Sequence, residues 1–150
     1  MTRVCLIGAP EVNLRYELLS RETARAALAT YDLHEPYRNS LELETVSVGA
    51  AVSLLNDLNW YLVRFADDAL VKSPSISETE WLSRKLATAV REGDIRPEET
   101  DRYLKVYGVD DDELLDPMYL ARVDGRVPDY DLYDVDETLR VRVTESEFGE

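Results

Sequence analysis

Apolar and polar positions in the first third of the chain follow the pattern of strands and helices in alternation. Residues 4–7 are a continuous apolar run, which predicts a strand covered on both faces. A turn containing Gly8 follows, and Asn13 is placed to cap a long helix that reaches about Tyr31. The buried side of that helix is predicted to comprise Leu14, Leu18, Leu19, Ala27 and Leu28.

The next three segments complete the pattern. Residues 41–48 alternate with period two and predict a strand, residues 49–58 predict a short helix, and residues 60–65 predict a third strand. The resulting β-α-β-α-β start predicts an α/β fold with a small mixed, mainly parallel sheet. Because the second crossover is short, the third strand could instead run antiparallel. An α+β ferredoxin-like arrangement is a further alternative.

A helix with well-marked ends is predicted next. Ser77 and Glu80 have the spacing of a capping box, and Ile76 and Trp81 have that of a hydrophobic staple. Gly93 is placed to end this helix as a C′ residue. Its buried stripe is predicted to comprise Leu82, Leu86, Ala89 and Val90.

A second helix is predicted to start at Pro97 and to end at Gly108, with a buried stripe made of Thr100, Tyr103, Leu104 and Tyr107. The two helices would form an αα-hairpin. The chain after Gly108 is predicted to be an acidic β segment, with strands at residues 118–123, 130–135 and 138–143.

The length of 150 residues fits one domain with a real core. Asp and Glu number 31 against 17 Lys and Arg, which gives a net charge of −14. This excess is uneven. Residues 1–92 carry 13 acids and 10 bases, for a net charge of −3, whereas residues 93–150 carry 18 acids and 7 bases, for a net charge of −11.

The basic residues are three lysines (Lys72, Lys85 and Lys105) and fourteen arginines. In molar salt the Debye length falls to about 3 Å, so carboxylate repulsion is screened while the carboxylates keep the surface hydrated. Scarce lysine also removes long apolar stems from the surface. We therefore expect a halophilic, cytoplasmic protein of an archaeon that accumulates salt.

Several classes of partner and cofactor are not expected. No stretch approaches the roughly 20 apolar residues of a membrane span. Nucleic acid is an unlikely partner because no basic patch exists, and the predicted hairpin would present Glu98, Glu99 and Asp101 where a recognition helix needs basic or amide groups. One cysteine, Cys5, allows no internal disulfide and fits a reducing cytoplasm.

Catalytic and metal chemistry also find little support in the sequence. One cysteine and one histidine, Cys5 and His34, cannot supply a structural zinc site. A catalytic thiol needs an activating base and an exposed setting, whereas Cys5 lies in mid-strand, where a small buried residue is expected. The four aspartates Asp129, Asp131, Asp134 and Asp136 lack the spacing of a calcium loop. We predict no catalytic residue, metal or cofactor.

Two sets of residues are candidates for binding. If a ligand pocket exists, the carboxyl ends of parallel strands would place it near Gly8, Asn13, Arg15, Gly49 and Asp67. Tyrosine is enriched at protein interfaces, and the acidic residues 93–150 contain five of the nine tyrosines. The candidate interaction residues are Tyr103, Tyr107, Tyr119, Tyr130 and Tyr133.

Two stretches carry a family resemblance, residues 12–24 (VNLRYELLSRETA) and residues 51–65 (AVSLLNDLNWYLVRF). Through them nearly the whole chain resembles an uncharacterised family of small haloarchaeal proteins, a domain of unknown function. The resemblance supports a halophilic origin, and it transfers no active site to this chain. The sequence favours a non-catalytic accessory protein that contacts a partner protein or another copy of itself. The alternative is a small-molecule-binding α/β regulatory domain.

Overall fold

The fold is built on a curled, eight-stranded sheet that forms half of a barrel, with helices packed on its convex side. A computed structural model describes residues 1–128 and 135–149. The strands run in the order β2-β1-β3-β4-β8-β5-β6, and β7 pairs with β5 beside β6. Their bounds are β1 (Thr2–Gly8), β2 (Ser40–Thr45), β3 (Ala66–Lys72), β4 (Trp81–Ser83), β5 (Tyr103–Asp110), β6 (Glu113–Leu114), β7 (Met118–Ala121) and β8 (Glu137–Val143).

The described residues also form six helices and one 3-10 turn. Most of them belong to the first part of the chain, between β1 and β5. Their bounds are α1 (Leu14–Leu19), α2 (Glu22–Leu28), α3 (Val48–Asp57), α4 (Asn59–Phe65), α5 (Arg84–Glu92), the 3-10 turn Pro97–Glu99, and α6 (Glu145–Phe148).

The prediction of a mainly parallel sheet with a β-α-β-α-β start is wrong. β1 pairs antiparallel with both β2 and β3. The pairing of β4 with β8 is the one parallel pair among the described strands. With eight strands in this order the sheet also differs from a ferredoxin-like arrangement.

The source of this error is the segment at residues 60–65, which forms helix α4 and not a strand. Leu58 and Leu62 are buried four positions apart, and Tyr61 and Phe65 are half-buried at the same spacing. This is the period of a helix, and it overrides the strand preference of the aromatic and β-branched residues. The third strand of the chain therefore begins only at Ala66, and it runs antiparallel to β1.

The two faces of β1 belong to two separate cores. Val4 and Leu6 pack against the helices, whereas Cys5 and Ile7 face the concave side of the sheet. The prediction of a strand covered on both faces is confirmed, because residues 4–7 are all buried. The concave core comprises Cys5, Ile7, Leu70, Trp81, Val109, Leu139, Val141 and Val143.

The predicted long helix after β1 is split in two. Asn13 caps α1 as predicted, with its side-chain oxygen accepting a hydrogen bond from the backbone N–H of Tyr16 at 3.0 Å. The helix stops at Leu19, and Arg21 has an extended backbone with φ −109° and ψ 126°. The break redirects the chain so that α2 buries its own short apolar stripe.

The helix predicted to start at Ser77 begins later. Ser77 accepts a hydrogen bond from the N–H of Glu80 at 3.0 Å, but Trp81–Ser83 continues as strand β4, and Ser83 caps α5 through the N–H of Leu86 at 3.1 Å. The end is confirmed, since Gly93 terminates α5 in the left-handed region with φ 81°. Trp81 lies in the concave core and Leu82 in the helical core, which is an alternation of period two.

The second helix of the predicted hairpin is absent from the fold. Pro97–Glu99 is a single 3-10 turn, and Tyr103–Asp110 is strand β5. Along β5, Tyr103 and Tyr107 point to the concave core, while Leu104 and Val106 are buried on the other face. The predicted strands at residues 118–123 and 138–143 correspond to β7 and β8, and residues 130–134 lie outside the described part of the chain.

A buried carboxylate joins three strands on the convex side of the sheet. Glu80, just before β4, accepts hydrogen bonds from Arg142 of β8 at 2.8 Å and from Arg122, just after β7, at 2.6 Å. Arg142 also donates to the hydroxyl of Thr100 at 2.9 Å. Burial alone would raise the pKa of Glu80, but the hydrogen bonds from Arg122 and Arg142 outweigh it and lower that pKa below its usual value of 4.5.

We expect Glu80→Gln to lower the free energy of unfolding at neutral pH by about 3 kcal/mol, because buried guanidinium groups lose their counter-charge. Because the pKa of Glu80 is lower in the folded protein than in the unfolded chain, the ionised carboxylate stabilises the fold above pH 4.5. This stabilisation is lost as the pH falls through the lowered pKa of the folded state. The difference in free energy of unfolding between wild type and variant, measured in urea, should therefore become smaller below about pH 4.5.

Glu98→Gln, at an exposed position, is the control. A difference that stays constant with pH would contradict the conclusion that ionised Glu80 stabilises the fold.

Candidate functional site

A pocket of about 380 Å³ lies at one end of the half-barrel. It forms where the end of β1, the loop before β2, the start of β3, the middle of β5 and the segment after β6 meet. Its lining residues are Ile7, Gly8, Pro10, Arg38, Asn39, Asp67, Tyr107, Glu113, Leu114, Leu115, Asp116 and Pro117.

Asn39 holds the floor of this pocket together and requires a glycine beside it. A Cβ on Gly8 would lie 2.4 Å from the Asn39 side-chain nitrogen, so no larger residue fits without displacing Asn39. Asn39 has φ 56°, in the left-handed region that asparagine tolerates. Its side chain accepts from the N–H of Leu14 at 2.9 Å and donates to the carbonyl of Ala9 at 3.1 Å.

The lining of the pocket combines apolar and polar residues in similar proportion, and its charged residues are mainly acidic. Three carboxylates, Asp67, Glu113 and Asp116, accompany one base, Arg38. The Arg38 guanidinium pairs with Asp111 at 2.5 Å and with Glu113 at 3.6 Å. The apolar lining residues are Ile7, Pro10, Leu114, Leu115 and Pro117.

A buried ionic cluster of Asp68, Lys105 and Tyr107 adjoins the pocket. The Lys105 ammonium and the Tyr107 hydroxyl both donate to Oδ2 of Asp68, the latter at 2.5 Å, and the N–H of Ala69 donates to Oδ1 at 3.0 Å. The side chains of Asp68 and Lys105 are only 10% and 11% exposed. Of the three cluster residues, Tyr107 is also a lining residue of the pocket.

The cluster determines which hydrogen bonds Tyr107 can offer. Burial, and then the negative charge of Asp68, raise the pKa of Tyr107 far above its usual value, so the hydroxyl stays protonated. Its single proton is donated to Asp68. The phenolic oxygen can therefore only accept a hydrogen bond from a bound molecule.

The predicted ligand-binding residues fall in three places. Gly8 and Asp67 line the pocket together. Asn13 and Arg15 line a separate surface hollow of about 540 Å³, which shares Asn39 with the pocket. Gly49 lies in the first turn of α3 and lines neither.

The predicted interaction tyrosines also differ in their surroundings. Tyr103 packs its ring against Phe148 with centroids 4.8 Å apart, and Tyr107 belongs to the ionic cluster. Tyr119 on β7 is 45% exposed. Tyr130 and Tyr133 lie outside the described residues.

Sequence reasoning missed Asn39, Arg38 and the pair Asp68–Lys105. One signal was available, because Lys105 stands between Leu104 and Val106 in what is a strand, and a charge in an apolar strand needs a buried partner. Treating residues 97–108 as a helix hid that signal. Asn39 carries no comparable mark, since its role depends on contacts across 25 to 31 positions of sequence.

Cys5 is inert in this setting. It is fully buried in β1, and burial, followed by the charges of Glu42 and Asp68, raises the pKa of its thiol to about 12. Within residues 1–128 and 135–149, no three His, Cys, Asp or Glu side chains are grouped so that they could hold a metal ion. No helix in this part of the chain is long and apolar enough to cross a membrane.

Fold and site together define a mixed, mostly antiparallel half-barrel with a helical layer and one end opened into a small pocket. The chain belongs to a family described as a family of unknown function (DUF5804), which it matches over residues 2–109. That stretch reaches the end of β5 and includes Asp68, Lys105 and Tyr107. No curated protein and no solved structure matches the chain.

We expect Asp68→Asn to lower the free energy of unfolding by about 3–5 kcal/mol, because Lys105 is left buried without its counter-charge. Combining it with Lys105→Met removes both charges and should recover a large part of that loss. Urea unfolding of the two single variants and of the double variant measures the coupling. Losses that simply add in the double variant would show that the two side chains do not act as a pair.

Proposed function

We propose that this protein is a small-molecule-binding regulatory domain whose site is the pocket between Gly8, Asp67 and Tyr107. The observation that carries the proposal is the combination of five apolar wall residues with polar groups that converge on one hollow. Ligand sites of proteins are mostly apolar concavities with a few well-placed polar groups, and the volume of about 380 Å³ lies in their usual range.

Rigid surroundings support this pocket as a binding site. Asn39 fixes the turn after β1 to the start of α1, and the Asp68 cluster fixes the position of Tyr107. The chain also closes the pocket from both edges of the sheet, because the N–H of Arg38 donates to the carbonyl of Asp112 at 2.8 Å. A site held in this way needs little ordering when a ligand binds.

We expect 2-phenylethanol, a neutral probe, to shift the backbone amide signals of Gly8, Asp67 and Leu115 in ¹⁵N-labelled protein in a saturable way. Leu115→Trp should fill the pocket and abolish the shifts. Val46→Trp, at an exposed apolar position outside the pocket, should leave them unchanged. Shifts scattered over the surface and insensitive to Leu115→Trp would contradict the proposed function.

A second candidate function is contact with another copy of the same chain through helix α4. Trp60 is 50% exposed and Val63 is 71% exposed, and three positions apart they lie on one side of the helix. The Arg64 guanidinium stacks on Trp60 at 3.8 Å from the ring centroid. Half-exposed tryptophan is typical of interface anchors. Helix α4 lies within residues 1–92, whose net charge is only −3, so two copies could meet through this face without strong repulsion.

We further propose that the protein works in the salt-rich cytoplasm of a haloarchaeon. The net charge of −14 and the three lysines against fourteen arginines support this setting. At high salt the repulsion between acidic copies is screened, and apolar association becomes stronger.

We expect sedimentation to show reversible self-association that is stronger in molar KCl than at about 0.1 M ionic strength. Trp60→Ser should weaken it at least severalfold, because the anchor of the contact is lost. Val46→Ser is the matched control at an exposed apolar position on another element. A chain that stays monomeric at every concentration in molar KCl would rule out this second candidate.

A further inference from the structure

We propose that the pocket binds an organic cation, a primary ammonium or guanidinium group carried on a compact apolar body. This inference rests on the proposed function, since it names the ligand class of the same pocket. It follows from four properties of the lining: free carboxylates, an engaged base, a hydroxyl that can only accept, and a set of apolar residues.

Two carboxylates of the lining are free to receive a ligand. Within the described part of the chain, the side chains of Asp67 and Asp116 form no hydrogen bond and no ion pair. Asp67 lies at the start of β3 and Asp116 lies in the segment between β6 and β7, so they come from two different parts of the chain. Both line the pocket, so a charged donor bound there would have two carboxylates available in the lining.

The one base of the described lining does not offset these acids. Arg38 is already engaged by Asp111 and Glu113, so its guanidinium is not available to a carboxylate or phosphate on a ligand. With three acids and one base, the lining carries a net charge of −2. An anionic ligand would be repelled, whereas a cation would be attracted.

Arg38 also shows how this end of the barrel accommodates a cation. Its guanidinium is held by two carboxylates that belong to the β5–β6 hairpin. Asp67 and Asp116 offer the same kind of pairing to a group from outside the chain. Charged hydrogen bonds of this type are shorter and stronger than neutral ones.

Tyr107 supplies an acceptor that does not depend on charge. Because its proton is committed to Asp68, the phenolic oxygen matches an N–H donor and cannot serve an acceptor group of the ligand. The five apolar residues of the lining favour a ligand that also has a hydrocarbon body, which an inorganic cation lacks. The pocket thus selects a donor-rich head and an apolar body in one molecule.

The test compares three probes that share one phenyl scaffold: phenethylamine as cation, 2-phenylethanol as neutral molecule and 3-phenylpropionate as anion. Titrations followed by ¹⁵N amide shifts give the affinity of each. We expect the amine to bind about tenfold more tightly than the alcohol, and the anion more weakly than both. Asp67→Asn combined with Asp116→Asn should bring the amine to the level of the alcohol without changing the binding of the alcohol.

A matched control carries the same change of net charge away from the pocket. Asp57→Asn combined with Asp94→Asn removes two exposed carboxylates that do not line it, and it should keep the preference for the amine. Equal binding of amine and alcohol to wild type would overturn the inference and leave the proposed function standing. A preference for the amine that survives the loss of Asp67 and Asp116 would also overturn it. Binding of none of the three probes would count against the proposed function itself.

Discussion

The shortness of β4 is the constraint on which the concave side of the sheet depends. This strand has three residues, and α5 begins directly after it. β4 pairs with β3 only at Leu70 and Val71, so the first residues of β3 have no partner on that edge. The gap in the sheet is spanned by side chains, with Asp68 of β3 reaching Lys105 and Tyr107 of β5.

This bridge explains why charged groups lie inside an apolar core. Burying one charge is costly, and burying a pair with additional hydrogen bonds is much less so. Asp68 receives the Lys105 ammonium, the Tyr107 hydroxyl and a backbone N–H. The same cluster leaves Tyr107 at the edge of the pocket with its proton already committed. A structural requirement of the sheet and the hydrogen-bonding character of the pocket thus have one cause.

Local signals in the sequence located elements better than they located their partners. Three local predictions are confirmed because each depends on neighbours within a few positions: capping by Asn13, termination by Gly93 and the strand near the end of the chain at residues 138–143. The predicted strand at residues 60–65 is wrong because burial of Leu58 and Leu62 imposes a helix, although the aromatic and branched residues of the segment favour a strand.

Pairing across the sheet could not be deduced in the same way. The positions predicted to be buried between Thr100 and Tyr107 fit a helix as well as a strand. This segment forms a strand because it pairs with β7 and β8, which are distant in sequence. Of the pocket, Gly8 could be named from its position at the end of β1. Asp67 also lines the pocket, but the prediction placed it after a strand at residues 60–65, which is helix α4, and it lies at the start of β3. Asn39, Arg38 and Lys105 act through contacts between distant segments, which one sequence does not reveal.

The position of β8 has a consequence for how the sheet is assembled. It is the last of the described strands in sequence, yet it lies between β4 and β5 and pairs with both. Among the described strands, β4 and β5 do not pair with each other, so β8 alone joins strands β1–β4 to strands β5–β7. Before β8 is in place, the facing edges of β4 and β5 would be unpaired, and unpaired strand edges are sites of non-native pairing. We therefore expect the docking of β8 to be the step that completes the sheet and covers both edges.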